Sequence, residues 1–296
     1  MTGPRNYGFS VSFGVEILFI EECNAMNKLV CAAILATALI SMPTFASDVV
    51  PANARIQVEP REIKGQALDL LGIVPGMTVQ DFERRMNAHN IPGRIEREEG
   101  SVGGTINGVQ IRTVSFVQRL LFTTQLTDKN NVSDHVNAVF STPASGNRIM
   151  SLRRELNYHN AVEAPMFDEF LASIRNKFGN PSGQRNLAIS QGVELMYVFQ
   201  AGRIMPCQQM AGGSCPELST IYSMQDLELF ERASAIADYQ INIIMQRNPQ
   251  GRMNSLQMSV VDIGMRHRAM AADVAAIMDH VNNRLANAKP TSAPRL

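Results

Sequence analysis

The fold is decided by the stretch from His135 to Phe199, which reads HVNAVFSTPASGNRIMSLRRELNYH at 135–159, APMFDEFLASIRNKFGNP at 164–181 and GVELMYVF at 192–199. Apolar residues recur at every second position in 135–141, in 149–158 with one interruption at Arg154, and in 192–199. This period of two is that of half-buried strands. Turn-forming residues separate the first two runs, so the pattern predicts a hairpin followed later by a third strand.

An amphipathic helix is predicted between the second and third strands. Pro165 suits its first turn, Gly179 suits its carboxyl-terminal cap, and Pro181 prevents its continuation. Its apolar stripe consists of Met166, Phe167, Phe170, Leu171, Ile174 and Phe178. We expect this helix to bury Phe170 and Ile174. A helix lying across a mostly antiparallel sheet defines an α+β fold class.

The same patterns recur on both sides of this stretch. Thr78 and Asp81 have capping-box spacing before a helix that is expected to bury Phe82, and Ser223 and Asp226 repeat that spacing. Further strands are predicted at 109–117, 120–127, 239–247 and 252–263, and a last helix, which includes Val281, at 267–287. The α+β region therefore covers 67–288, with several helices on the sheet and possible halves at 67–183 and 184–288. We expect the tail 289–296 to be disordered.

The N-terminal region has the features of a secretory signal. Lys28 precedes an apolar run at 29–42, and small residues at Thr44 and Ala46 predict cleavage between Ala46 and Ser47. We interpret 26–46 as the signal peptide and 47–66 as an N-terminal tether. A buried core helix is the alternative interpretation of the apolar run. The predicted location is the periplasm or the extracellular medium.

The residues before the signal carry acidic side chains where a signal peptide carries basic ones. Glu16, Glu21 and Glu22 lie in this segment. We therefore interpret 1–25 as an upstream extension and Met26 as the true start.

Charge and hydropathy exclude several kinds of partner. The sequence has 27 basic and 27 acidic residues, so no strong field attracts a nucleic acid or an anionic membrane surface. The run at 29–42 is too short to span a bilayer comfortably, so we expect no stable membrane span after signal cleavage.

Two cysteines remain in the predicted mature chain, Cys207 and Cys215. A pair this close in an exported protein predicts a local disulfide. Zinc would need further ligands, and no histidine lies near this pair. The methionines are dispersed at core-like positions and do not cluster as copper ligands would. We expect neither a metal nor a cofactor.

Two short stretches carry a family resemblance. Gly72 to Thr78 (GIVPGMT) opens a helix, whereas Phe178 to Gly183 (FGNPSG) closes one and leads to LMYVF at 195–199 and Gly202-Arg203. These stretches resemble the SmpA/OmlA outer-membrane-assembly lipoproteins and the related fold of β-lactamase inhibitor proteins. The resemblance implies a helix-on-sheet fold that binds other proteins. The chain differs from that family because it has no lipid-anchor cysteine and divides the pattern between two helices.

The sequence does not contain a recognisable catalytic motif. Its five histidines form no His-Glu-x-x-His arrangement, and the predicted mature chain has no Gly-x-Ser-x-Gly or Ser-x-x-Lys motif. We therefore expect a non-enzymatic envelope protein that binds another envelope protein or a small ligand. A periplasmic hydrolase with its site near His135 and His159 is the alternative, because the predicted hairpin places them on neighbouring strands. Sequence alone leaves the oligomeric state open.

Signal cleavage is the first testable prediction. Mass spectrometry of protein recovered from the host envelope should find a chain that begins at Ser47, because the small residues at Thr44 and Ala46 fit the signal peptidase. A full-length product that begins at Met1 and stays in the cytosol would contradict it.

Overall fold

The computed structural model describes residues 48–50, 56, 69–89, 92–106, 109–124, 131–160, 162–187, 191–210, 215, 218 and 226–287. The predictions for the signal peptide, for Ala46 and Ser47, for the Ser223 cap and for the C-terminal tail lie outside these residues. The described part has the predicted α+β fold class, with helices packed on a mostly antiparallel sheet.

The described elements are twelve strands and four α-helices, with short 3-10 turns at Pro143–Ser145 and Cys207–Gln209. In chain order they are β1 (Asp48–Val50), α1 (Val79–Ala88), β2 (Gly93–Gly100), β3 (Gly103–Ile106), β4 (Val109–Thr113), β5 (Phe116–Thr124), β6 (Val132–Phe140), β7 (Ile149–Tyr158), α2 (Phe167–Phe178), β8 (Gly183–Leu187), β9 (Gly192–Gln200), β10 (Arg203–Ile204), α3 (Leu227–Ser234), β11 (Tyr239–Arg247), β12 (Met253–Asp262) and α4 (Ile263–Asn287).

Nine of these strands form one antiparallel sheet in the order β10-β9-β11-β12-β7-β6-β5-β2, with β8 also paired to β9. The remaining strands form a small sheet, β1-β4-β3, in which β1 runs parallel to β4. The first residues of the predicted tether are therefore part of a sheet.

The large sheet contains one structural plan twice. Helix α1 precedes the meander β2-β5-β6-β7, and helix α2 precedes the meander β8-β9-β11-β12. The last strand of each meander begins with a related sequence, RIMSL at 148–152 and RMNSL at 252–256. We call the two repeats the first unit and the second unit.

Equivalent hydrogen bonds hold each helix start against its last strand. The amide of Ile149 donates to the Met77 carbonyl at 2.9 Å, and the amide of Met253 donates to the Pro165 carbonyl at 2.9 Å. Isolated bridges join Thr78 to Arg148 and Met166 to Arg252. The repeat therefore groups α2 with β8 to β12, and the chain passes from one unit to the next between β7 and α2.

Helices α1 and α2 cover the same side of the sheet, which we call the core face. Phe82 is 0% exposed on α1, and Phe167 and Phe178 are 1% and 2% exposed on α2. These side chains join one hydrophobic cluster with β5, β6, β7, β9, β11 and β12. Ile174 is buried there as predicted. Val281 is also buried, but against Val50 and Ile111 of the small sheet.

The expected burial of Phe170 is wrong. Phe170 is only partly buried at the edge of the core, whereas Phe167 and Ile174 of the same helix are buried. An apolar stripe has a centre and two borders, and spacing alone does not tell which residues lie at the border. Phe167 is the aromatic side chain that anchors the start of α2.

An ion pair explains the interruption at Arg154. The guanidinium of Arg154 donates from Nε and Nη2 to both oxygens of Asp134 on the neighbouring strand, at 2.7–3.2 Å. The side chains of Arg154 and Asp134 are 22% and 5% exposed. A buried charge is tolerated when it is paired in this bidentate way, so the polar residue fits the core face.

The caps of two helices are defined in the structure. At α1 the Thr78 hydroxyl accepts from the Asp81 amide and the Asp81 carboxylate accepts from the Thr78 amide, both at 3.1 Å, as the capping-box spacing predicts. Hydrogen bonds from Thr78 lower the pKa of Asp81. Helix α4 begins at Ile263 and not at His267, because Asp262 accepts from the Met265 amide at 2.7 Å and caps the helix earlier.

Two phenylalanines of α2 provide a matched test of the core. Replacing the buried residue (Phe167→Ala) should lower the free energy of unfolding by about 3–5 kcal/mol, because it leaves a cavity. The half-buried residue (Phe170→Ala) should cost less than about half of that. Urea unfolding with the disulfide intact measures both losses. Equal losses would show that Phe170 lies in the core.

Candidate binding surface on the open face of the sheet

The side of the sheet opposite α1 and α2 carries polar residues, and we call it the open face. Strand register places its side chains in rows that cross the sheet. One row consists of Thr123, His135, Glu155, Gln257, Ile244, Glu194 and Arg185. The next row consists of Leu121, Asn137, Arg153, Ser259, Asn242 and Met196.

Charges of both signs alternate on this face. Arg153 and Glu155 form an ion pair, and their side chains remain 39% and 37% exposed. Arg153 also donates to the Gln257 side chain at 2.9 Å. Toward the β2 edge, Arg119 pairs with Glu98 at 3.2 Å. The surface therefore offers paired charges and no large single-sign field.

Three buried polar atoms on this face have no hydrogen-bond partner in the described part of the chain. They are Oδ1 of Asn137, Nε of Arg153 and Oδ1 of Asn242. Buried polar groups are nearly always hydrogen-bonded, so these three atoms are exceptions among the described residues.

Helices α3 and α4 cover one end of the open face. Val198 and Val261 of the sheet pack there with Phe230 of α3 and with Ile263 and Met270 of α4. Next to this cover lies a cavity of about 450 Å³. The described residues that line it are Arg185, Glu194, Met196, Leu218, Gln240, Asn242, Ser259 and Val261.

A buried carboxylate lies in the wall of this cavity. The side chain of Glu194 is 9% exposed, and that of Arg185, with which it pairs at 2.6 Å, is 67% exposed. Asn242 Nδ2 donates to the other carboxylate oxygen at 3.0 Å. The cavity therefore combines a fixed negative charge with a counter-ion that extends into solvent.

The disulfide predicted at Cys207 and Cys215 is present, with the two Cα atoms 4.6 Å apart. The Cys207 amide donates to the Ser182 carbonyl at 2.9 Å, which ties the loop to the start of β8. A Cβ atom on Gly183 would lie 2.7 Å from the Cys207 sulfur, so only glycine allows this approach. Leu218, which follows shortly after Cys215, lines the cavity.

The two candidate histidines contact different hydroxyl groups. His135 Nδ1 lies 3.2 Å from Thr123 Oγ1, and His159 Nε2 lies 3.1 Å from Ser133 Oγ. Ser133 is 8% exposed. Neither histidine has a carboxylate partner in the described residues, so the arrangement supplies a hydroxyl and a base but no third group to orient the base.

Metal ligands do not cluster in the described part of the chain, where no group of three or more His, Cys, Asp and Glu side chains is arranged to hold a metal ion. Among the helices that the structure describes, none is both long and apolar enough to cross a membrane.

Sequence reasoning did not identify the cavity. Glu194 carries the available signal, since it is a charge in the middle of an apolar strand. Its neighbours Asn242 and Ser259 come from strands that are distant in sequence. Only the pairing of β11 with β9 and β12 brings these residues together.

Comparison with known proteins gives no match to this chain: no family model, no curated protein and no solved structure. The resemblance to the SmpA/OmlA lipoproteins and β-lactamase inhibitor proteins therefore stays a prediction.

The disulfide gives a testable stability effect. Replacing both cysteines (Cys207→Ala with Cys215→Ala) should lower the free energy of unfolding by about 2–3 kcal/mol, because the short loop gains entropy in the unfolded chain. Urea unfolding measures this loss, and reductant should destabilise the parent protein but not the variant. Two alkylatable thiols in the oxidised native protein would contradict the assignment.

Proposed function

We propose that this is an exported, non-enzymatic envelope protein that binds another protein through the open face of its large sheet. The observation that carries the proposal is the set of exposed charged side chains on that face, of which Arg153 and Glu155 are 39% and 37% exposed. A docked partner with complementary charges and hydrogen-bonding groups can contact such side chains directly.

The dimensions of the face are adequate for a protein partner. Eight strands in series, spaced by ~4.8 Å, make a surface about 34 Å wide. Strands of nine residues such as β5 and β6 are about 30 Å long. A standard interface takes about 800 Å² from each partner.

The charge pattern favours a folded protein with a polar, mixed-charge surface. Arg153 with Glu155 and Arg119 with Glu98 place opposite charges side by side. A nucleic acid or an anionic membrane would meet as many repulsive as attractive groups on such a surface. A protein surface with alternating charges and hydrogen-bonding groups can match both signs.

Two further observations support export and binding. The N-terminal sequence has the features of a signal peptide, and the Cys207–Cys215 disulfide fits an oxidising compartment such as the periplasm. The GIVPGMT and FGNPSG stretches resemble families whose members bind other proteins. The signal-like sequence, the disulfide and the resemblance do not depend on the geometry of the open face.

A hydrolase is the second candidate, because Ser133 Oγ and His159 Nε2 lie 3.1 Å apart. The burial of Ser133 and the absence of a described carboxylate next to His159 weigh against it. Incubation with a fluorophosphonate probe distinguishes the two candidates. Labelling of the parent protein that is lost in Ser133→Ala would favour the hydrolase.

Charge reversal on the open face tests the proposal. Mature protein coupled to a resin should capture a defined partner from envelope extract, and Arg153→Glu should weaken the purified pair by at least about tenfold, because it places like charges together. Calorimetry on the purified pair measures the change.

The matched control is Glu169→Arg on α2, which is exposed on the opposite side of the molecule. It should leave the affinity unchanged. If Glu169→Arg weakened the complex and Arg153→Glu did not, the partner would bind the helical side and the proposal would fail.

A further inference from the structure

We propose that the cavity beside α3 and α4 is a binding site for a small organic cation that has a primary ammonium group and a short apolar chain. The inference goes beyond the proposed function and does not depend on it. It rests on three features of the cavity: a buried carboxylate, neighbouring polar side chains and an apolar wall.

The buried carboxylate of Glu194 supplies the charge. Its side chain is 9% exposed, and Arg185 Nε and Nη2 donate to one of its oxygens at 2.8 and 2.6 Å. Arg185 comes from β8 and is 67% exposed. The exposed Arg185 side chain can move into water when a bound cation takes its place beside the carboxylate, which is fixed in the wall. The negative group is therefore the permanent part of the site.

The amide of Asn242 extends the site. Its Nδ2 donates to Glu194 Oε1 at 3.0 Å, which fixes the orientation of the amide. Ser259 lines the same cavity. The Glu194 carboxylate and the Ser259 hydroxyl therefore supply hydrogen-bond acceptors in the wall of the cavity. An ammonium group is the matching ligand, because it offers three donors and no acceptor.

The apolar residues in the rest of the cavity wall favour a ligand with an apolar chain. Met196, Leu218 and Val261 line the cavity together with the polar residues. Its volume of about 450 Å³ falls within the range of small-molecule sites, roughly 300–1,000 Å³. A ligand with a cationic head and a chain of several carbons fits this combination of walls.

An anionic ligand fits the same walls poorly. Arg185 is the cation among the described lining residues, and it already pairs with Glu194. An anion bound to Arg185 would lie close to the Glu194 carboxylate, and like charges at short distance repel each other. The two ligand classes therefore predict opposite effects of changing Arg185.

The experiment is an NMR titration of the full-length, oxidised protein with hexylammonium. Hexanoate and hexanol serve as probes of equal chain length with a negative charge and with none. Hexylammonium should shift the amide signals of Glu194 and Asn242 at millimolar concentrations. The other two probes should bind at least about tenfold more weakly, because they lack the charge-assisted hydrogen bond.

Three variants make the test specific. Glu194→Gln keeps the size and the hydrogen-bonding shape of the side chain, and it should weaken hexylammonium binding by about tenfold or more. Arg185→Gln removes the internal competitor and should tighten binding by about threefold or more. Glu169→Gln changes an exposed carboxylate of α2, on the other side of the sheet, and it should have no effect.

Two kinds of result would contradict the proposed cation site. Weaker binding in Arg185→Gln, or preferential binding of hexanoate, would assign the cavity to anions and overturn the proposal. Absence of binding by any probe in a folded parent protein would also overturn it. Thermal unfolding of each variant verifies the fold, and Glu194→Ala provides a second carboxylate deletion if Glu194→Gln does not fold.

Discussion

The pairing of β7 with β12 is the constraint on which the rest of the structure depends. These strands are the last of their units, and they pair antiparallel from Asn157↔Ser255 to Ser151↔Val261. The pairing covers a strand edge of each unit and merges two meanders into one sheet with a common hydrophobic core. A slip of one residue would exchange the two faces. It would expose Leu152 and bury Arg153, and both the core and the open face would be lost.

The two units differ in what covers their open face. The open face of the first unit is uncovered around Asn137 and Arg153, whereas α3 and α4 cover part of the second unit beside the cavity. Helix α4 also reaches the first unit, because its buried Asp273 accepts hydrogen bonds from Thr142 and Ser145 at 2.6 and 2.8 Å. One structural plan thus produces a broad surface in one unit and a partly covered cavity in the other.

The elements that could be predicted from the sequence are those whose local residue pattern matches their burial or their cap in the structure. The alternation in β6, β7 and β9, the capping box at Thr78 and the cysteine pair are such cases. The edge strands β2 and β8 were not predicted from the sequence. Their charged and polar residues are exposed on both faces, so apolar and polar residues do not alternate along them. The ion pair of Arg154 and the cavity were not predicted for another reason. The residues involved come from different strands, and only the strand register brings Asp134 to Arg154 or Asn242 to Glu194.

The distribution of charge shows where specificity can arise on such a surface. Because the acidic and basic groups of the open face are paired side by side, their fields cancel beyond a few ångströms, and long-range steering contributes little to association. On the proposed binding surface, discrimination would then come from short-range contacts. The exposed Arg153–Glu155 pair favours a partner that supplies hydrogen-bonding groups of matching sign, and it penalises a partner that buries either charge without a hydrogen bond.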